Sequence, residues 1–214
     1  MAFSRYPEVS TMYSRPGEHE TDPAKLVAFM RAYPFATVTS TRAGLVEATH
    51  LPVLVHERDG QVVLAAHMAR ANPHWRALDD GIQMLVIFQG PHAYVSPAWY
   101  DDPLSVPTWD YVAVHARGAV RILAIEETLQ HVAELTKTHD PAEFERARTL
   151  PQDWLRKLAG GIVAFEVQVT SLEGRFKLSQ NRSPAEQANV ARQLAGQPEP
   201  AHTIGQMIAD NLAD

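Results

Sequence analysis

The sequence contains no cysteine in 214 residues. That excludes disulfides, thiolate nucleophiles and zinc sites built on sulfur, and it fits a chain kept in a reducing cytosol. There is no excess of basic residues either: 19 Lys and Arg stand against 25 Asp and Glu, a formal net charge of −6. Phosphate backbones repel such a chain at a distance, so nucleic-acid binding would need a local basic patch. No apolar run approaches the roughly 20 residues of a membrane-spanning helix. The opening MAFSRYPEVSTMYSRPGEHE lacks the apolar core of a secretory leader. Catalytic signatures are also absent: no GxxxxGK[ST] loop, no GxSxG elbow and no HExxH. AGGIVAF leads into a strand rather than opening a helix, so it is not a dinucleotide fingerprint. The ten histidines form no i, i+4 pair on a clear helix and no short cluster with carboxylates, so no dedicated metal site is expected. For His56, His131 and His139 the simpler expectation is a histidine bonded to backbone in a half-buried sheet.

What is present suffices for one large domain or a domain with a small appendage: 45% of the residues are hydrophobic, enough for a substantial core. Asp22-Pro23 reads as an N-cap and first-turn proline opening the helix PAKLVAFMRAY, which Pro34 ends. FATVTST (35–41) is a strand candidate, with RAG as a turn after it. LVEATHLPVLVHE follows as an extended stretch with Leu51, Val53 and Val55 on one face and His50, Leu54 and His56 on the other. RDG is a hairpin turn, and QVVLAAH is the return strand. A short helix is expected around 72–78, then two strand pieces, QMLVIFQG and HAYVS, broken at Gly90-Pro91. After a loop rich in proline and aromatics, YVAVHARGAVRI (111–122) alternates with Tyr111, Ala113, His115 and Arg117 opposite Val112, Val114 and Ala116. Helices are expected from Glu126, at 141–148 and over PQDWLRKLA, the last stopped by Gly160-Gly161. IVAFEVQVTSL is the final strand. Ser183-Pro184 with Glu186 forms a capping box for PAEQANVARQLA, and a last short helix starts at Thr203. Strands of antiparallel character with helices before, within and after them indicate an α+β fold around a closed or nearly closed barrel. The two terminal helices do not suit a helix-turn-helix, because their connection carries two prolines and TIGQMIADNLAD holds no basic residue.

Three stretches mix donors and aromatics outside amphipathic logic: HMARANPHW, GPHAYVSPAWYDDPLSVPTWDYVAVH and LEGRFKLSQNRS. Arg70 and Lys177 suit a phosphate, as a fork or a point charge. Trp99, Tyr100, Trp109 and Tyr111 suit contact with a flat heteroaromatic ring, and the amides of Gln180 and Asn181 suit its carbonyl and imide groups. A phosphate-bearing planar ligand fits this combination. A proline-flanked aromatic plug at a barrel end and a solvated basic face remain the alternative.

HLP, HMARANPHW, VIFQGPHAYVSPAWY, VPTWDYVAVHARG and LEGRFKLSQNRS, in that order, resemble the FMN-binding negative transcriptional regulator family typified by PaiB. The likeness runs from MYSRP to the helix after QNRS. It implies a split β-barrel with flanking helices, FMN-binding and pyridoxamine-phosphate-oxidase-like, working as a cytoplasmic homodimer with FMN at the subunit interface. On that basis residues 1–214 form one FMN-binding split-barrel domain, and 184–214 a C-terminal helical extension. The resemblance nominates His67, Arg70 and Asn72 for the flavin phosphate and His50 alongside the flavin. Trp109 and Tyr111 would lie near the ring, and Lys177 and Gln180 would approach the same ligand. DNA is the partner that the regulator label implies, and the net charge counts against it.

Two other functions stay open at this point. One is a flavin oxidoreductase or haem-handling split-barrel enzyme, with His115 as proton carrier or axial ligand. The other is a structural dimer that has lost its ligand.

Overall fold

The structure is a computed structural model that describes residues 12–79 and 81–213. Eight strands, β1 (His19–Glu20), β2 (Phe35–Arg42), β3 (Leu45–Pro52), β4 (Leu54–Arg58), β5 (Gln61–Ala69), β6 (Gln83–Val95), β7 (Thr108–Ile122) and β8 (Ile162–Lys177), alternate with six helices. These are α1 (Pro23–Ala32), α2 (Ile125–His139), α3 (Pro141–Ala147), α4 (Gln152–Ala159), α5 (Pro184–Ala195) and α6 (Ala201–Ala213). Hydrogen bonding joins the strands in the order β3-β2-β6-β7-β8-β5-β4, with β1 on β8. The chain divides into two compact units. One comprises Met30–Phe88 and Ala116–Leu172; the other comprises the described residues of Met1–Phe29, Gln89–His115 and Glu173–Asp214.

In the first unit β2 and β3 form a full antiparallel hairpin, from Phe35↔Pro52 to Arg42↔Leu45. Ala43 and Gly44 turn it with positive φ (49° and 80°), the mirror-image turn that matches strand twist. Asp59 and Gly60 do the same for β4 and β5. The expected single extended stretch over 45–57 is instead two strands. Val53 leaves the ladder to donate its N–H to the carbonyl of Pro34, so β3 pairs with β2 whereas β4 pairs with β5. Pro52, which has no N–H to donate, stands where the partner changes. Leu54 and Val55 are consequently both buried, and simple alternation fails there. β5 pairs with β8 over Val63↔Gln168 to Ala69↔Ile162. Val38, Leu64, Met68, Met84, Val86, Phe88 and Phe165 are at most 1–2% exposed and form the core of this unit; each such side chain contributes about 1.5–3 kcal/mol relative to exposure.

The expected break at Gly90-Pro91 does not end the strand; β6 continues through it. The buried positions switch from even (84, 86, 88) to odd (91, 93, 95), as when one extra residue is inserted into a strand. The final strand is also longer than expected, since RFK continues β8 to Lys177.

In the second unit β1 pairs with the end of β8, His19↔Arg175 and Glu20↔Gly174. Two residues give no periodic signal, and β1 was not expected. Gly174 is required here, because a Cβ would strike the Leu26 side chain. Helices α5 and α6 pack so closely at Gly205 that a Cβ would lie 2.7 Å from the carbonyl oxygen of Ala191. α5 starts with the expected capping box: the Ser183 hydroxyl accepts from the Glu186 N–H, and the Glu186 carboxylate accepts from the Ser183 N–H. α6 begins at Ala201, two residues before its expected start. No helix among the described residues is long and apolar enough to cross a membrane.

Candidate functional site

The donor-rich stretch after β5 turns through a 3₁₀ helix at Pro73–Ala77 capped by Asn72, whose side-chain oxygen accepts from the His74 N–H at 3.0 Å. The Asn72 amide also donates to the Thr49 hydroxyl at 3.1 Å. Asn72 therefore holds the loop on β3 with both ends of its side chain. Arg70 is exposed, and its backbone N–H, Nε and Nη2 donate to the carbonyls of Gly161, Gly160 and Ile162 (2.9, 2.8 and 3.0 Å). Helix α4 ends just before these carbonyls, and a cation there complements its dipole. The guanidinium keeps three N–H bonds that no acceptor among the described residues takes. Trp75 donates its indole N–H to the Arg70 carbonyl at 2.7 Å, and Arg70 and Arg76 lie 5.5 and 5.7 Å from its ring centre. Arg76 is a second cation beside Arg70; the two form the small basic patch that the sequence offers for a phosphate-bearing ligand, although of the two Arg70 alone was nominated for the phosphate.

His67 does not stand alone. Its Nδ1 lies 3.0 Å from Nε2 of His131 on α2, with the rings edge to face at 5.2 Å. One nitrogen donates and the other accepts, so the pair is bound only while at least one ring is neutral. Burial lowers the pKa of both rings. That of His131 falls to about 4 through burial first and then through the nearby His67 and His56. The expected backbone-bonded sheet histidine is thus corrected for His131, which lies on a helix and is bonded to another imidazole. His74, one of the donors of HMARANPHW but not nominated for the ligand, is buried between two hydroxyls, 2.9 Å from Ser40 and 2.8 Å from Thr49. Burial lowers its pKa, partly opposed by Glu47. His50 stays exposed, with Nδ1 2.9 Å from the Thr37 hydroxyl and its ring stacked on Phe35 at 6.4 Å.

The remaining nominated residues lie in the other unit. Trp109 is 52% exposed and forms a ledge with Tyr94 (47% exposed) and His92, at ring distances of 6.2 and 5.5 Å. Tyr94 and His92 were not nominated individually, although their block was. Tyr111 is half-buried, with Arg175 5.2 Å from its ring; Arg175 also pairs with buried Glu18 at 2.7 Å. Tyr100 is not open to a ligand, because Arg182 covers its ring at 3.7 Å. Lys177 turns inward. Its ammonium donates to the Thr108 hydroxyl and the Trp109 carbonyl and lies 3.5 Å from Asp110. Asp110 is fully buried and accepts from the Ser179 hydroxyl at 2.6 Å; burial raises its pKa against the pull of Ser179 and Lys177. Gln180 has both ends of its amide engaged locally, accepting from the Leu178 N–H and donating to the Phe176 carbonyl.

Within the first unit, Arg70 keeps unused N–H bonds of the kind a flavin phosphate takes. Within the second, the Trp109 ledge is of the kind a planar flavin ring lies against.

Comparison with known proteins bears on the same ligand. Residues 12–171 match the family model described as "Putative FMN-binding domain". The chain is 33% identical to "Protease synthase and sporulation protein PAI 2" of Bacillus subtilis over 200 residues, covering 90% of this chain and 94% of that protein. It is 27% identical to an uncharacterised protein of Emericella nidulans, covering 84% and 88%. Among solved structures, the FAD and haem binding protein of Mycobacterium smegmatis superposes with a TM-score of 0.59 at 18% identity, covering 75% of this chain and 73% of that one. The flavocytochrome Anf3 of Azotobacter vinelandii gives 0.61 at 15%, covering 80% and 75%. The fold is an α+β split β-barrel with flanking helices, and the chain belongs to the PaiB-like family of FMN-binding proteins.

Proposed function

We propose that this chain is a flavin-dependent or redox-sensing regulator that acts as a homodimer. The observation that carries the reading is Arg70: three backbone carbonyls fix the residue, and its guanidinium still offers free N–H bonds to an anion. Arg70, with Arg76 beside it, takes the flavin phosphate. His67 and Asn72 shape that loop, one through His131 and the other as its cap. His50 offers an exposed imidazole on a neighbouring strand. In the other unit, Trp109 with Tyr94 and His92 offers an aromatic face of the kind a planar ring takes, and Tyr111, Lys177 and Gln180 support the strand and turn that carry it. Bound FMN supplies one- and two-electron redox chemistry. A second copy of the chain would cover the β2–β3 hairpin, where Phe35, Leu45 and Val46 are 68–73% exposed. The acidic net charge makes an effect through flavin state a better reading than direct DNA repression.

FMN titration of wild type, Arg70→Ala and Trp109→Ala, with sedimentation velocity on the same samples, tests this. The expected result is micromolar FMN binding by a dimer, weakened about tenfold or more by either substitution, the usual scale for a lost charge-assisted or stacking contact. A monomer, or variants that bind FMN as the wild type does, would overturn the assignment.

A further inference from the structure

A cavity of about 200 Å³ lies in the unit that holds Arg70. Leu78, Ile122, Ile125 and Val163 line its apolar side, with Arg70 and Trp75 also in the wall. Among the described residues, Arg70 is the one charged side chain in the lining, which holds no carboxylate. Among the described lining residues, the other polar side chains are the Trp75 indole and Thr128. The indole N–H is already held by the Arg70 carbonyl.

We propose that this cavity binds a small monocarboxylate carrying a short apolar chain or ring, its carboxylate on Arg70 and its hydrocarbon among Leu78, Ile122, Ile125 and Val163. Size sets the class. A cavity of roughly 150 Å³ suffices for benzene, whereas drug-sized ligands occupy about 300 Å³ or more, so the ligand is a short-chain acid and not a lipid. Charge sets the head group. A guanidinium with unused N–H bonds favours a carboxylate, and the described lining residues include no acid to partner an amine. The backbone carbonyls of residues 160–162 hold Arg70 in place before the ligand arrives, so little ordering cost falls on binding.

The cavity assignment stands on its own lining. A consequence rests in addition on the flavin reading: the carboxylate and the FMN phosphate both address Arg70, so each weakens the binding of the other. That would give a flavin regulator a metabolite input at the atom that holds its cofactor.

The test uses hexanoate, propionate, hexan-1-ol and hexylamine, titrated calorimetrically into the full chain. Hexanoate is expected to bind at least tenfold more tightly than propionate, since each methylene contributes about fourfold. It is also expected to exceed hexan-1-ol at least tenfold, and hexylamine is expected not to bind. Arg70→Gln should reduce hexanoate to the level of hexan-1-ol. Hexanoate binding no better than hexan-1-ol, or hexylamine binding equally well, overturns the proposal from the wild-type series alone, even if the variant fails to fold. The FMN titration is then repeated with saturating hexanoate. Weakened FMN binding supports the shared arginine. Unchanged FMN binding refutes the competition but not the cavity, and hexanoate binding in a chain that ignores FMN refutes the flavin reading but not the cavity.

Discussion

The His67–His131 pair makes the stability of the chain depend on pH in a calculable way. His131 is 5% exposed, and its pKa falls from 6.5 to about 4 on folding. The unfolded chain therefore binds the proton first. The stabilisation is complete above pH 6.5 and is lost progressively as the pH falls from about 6.5 towards 4. For this one group the loss is RT ln[(1 + 10^(6.5−pH))/(1 + 10^(4−pH))], about 1.4 kcal/mol at pH 5.5 and about 2.6 kcal/mol at pH 4.5. For a chain of this size 1.4 kcal/mol is a fall of about 3–6 °C in melting temperature. The perturbation is His131→Leu, which removes the titrating ring and keeps an apolar side chain on the buried face of α2. Its partner His67 is half-buried, so its released Nδ1 can reach water. Thermal melts of wild type and variant at pH 7.5, 6.5, 5.5 and 4.5 measure the difference. The other residues around the pair, His56, Glu134 and Glu166, are the same in both proteins. The wild type is expected to lose the calculated stability relative to the variant as the pH falls. Parallel curves from pH 7.5 to 4.5 would refute the claim that folding depresses the His131 pKa.

Glu166→Ala removes a buried carboxylate that accepts from Arg58 at 2.6 Å and Arg121 at 2.7 Å. Burial would raise its pKa, but the two arginines outweigh burial and hold it below the usual carboxylate value. Both arginines keep access to water, so the loss should be about 1–3 kcal/mol in urea unfolding at pH 7, shrinking as the pH drops below about 4. Gly118→Ala would drive a Cβ into the backbone carbonyl of Gln168, a strand that cannot yield cheaply. A cost of about 3 kcal/mol or more, or insoluble expression, is expected, and a melt unchanged from wild type would contradict the packing described. Ser183→Ala breaks the α5 capping box and should cost about 1 kcal/mol in the same urea assay; Ser183→Asp should recover most of it.

How much of this was readable beforehand varied with the range of the cause. The hairpin turns at 43–44 and 59–60, the α1 start at Asp22-Pro23 and the α5 capping box are each fixed by neighbours within a few residues, and they stand where the sequence put them. The alternation of β7 likewise marked its buried face. Failures came where tertiary partners decide. Nothing local says that the chain changes sheet partners at Pro52-Val53, that β6 absorbs Gly90-Pro91 instead of stopping, or that His19 and Glu20 pair with β8. The candidate site shows the same division. The residue types suited to a phosphate and a ring were visible, and five sequence blocks pointed to the family. The bonds that hold those residues were not visible. Arg70 reaches carbonyls about 90 positions away, and His67 meets an imidazole 64 residues on. Lys177 looks like a free surface cation in RFKLSQNR, yet it folds inward onto Thr108, Trp109 and Asp110.

The central claim is that this chain holds FMN. Equilibrium dialysis of the purified full chain against FMN, read by flavin absorbance and repeated with Arg70→Ala, tests it most directly. One FMN per chain at micromolar ligand, with affinity at least tenfold weaker in the variant, is the predicted result. A chain that retains no FMN above the buffer concentration would contradict the account.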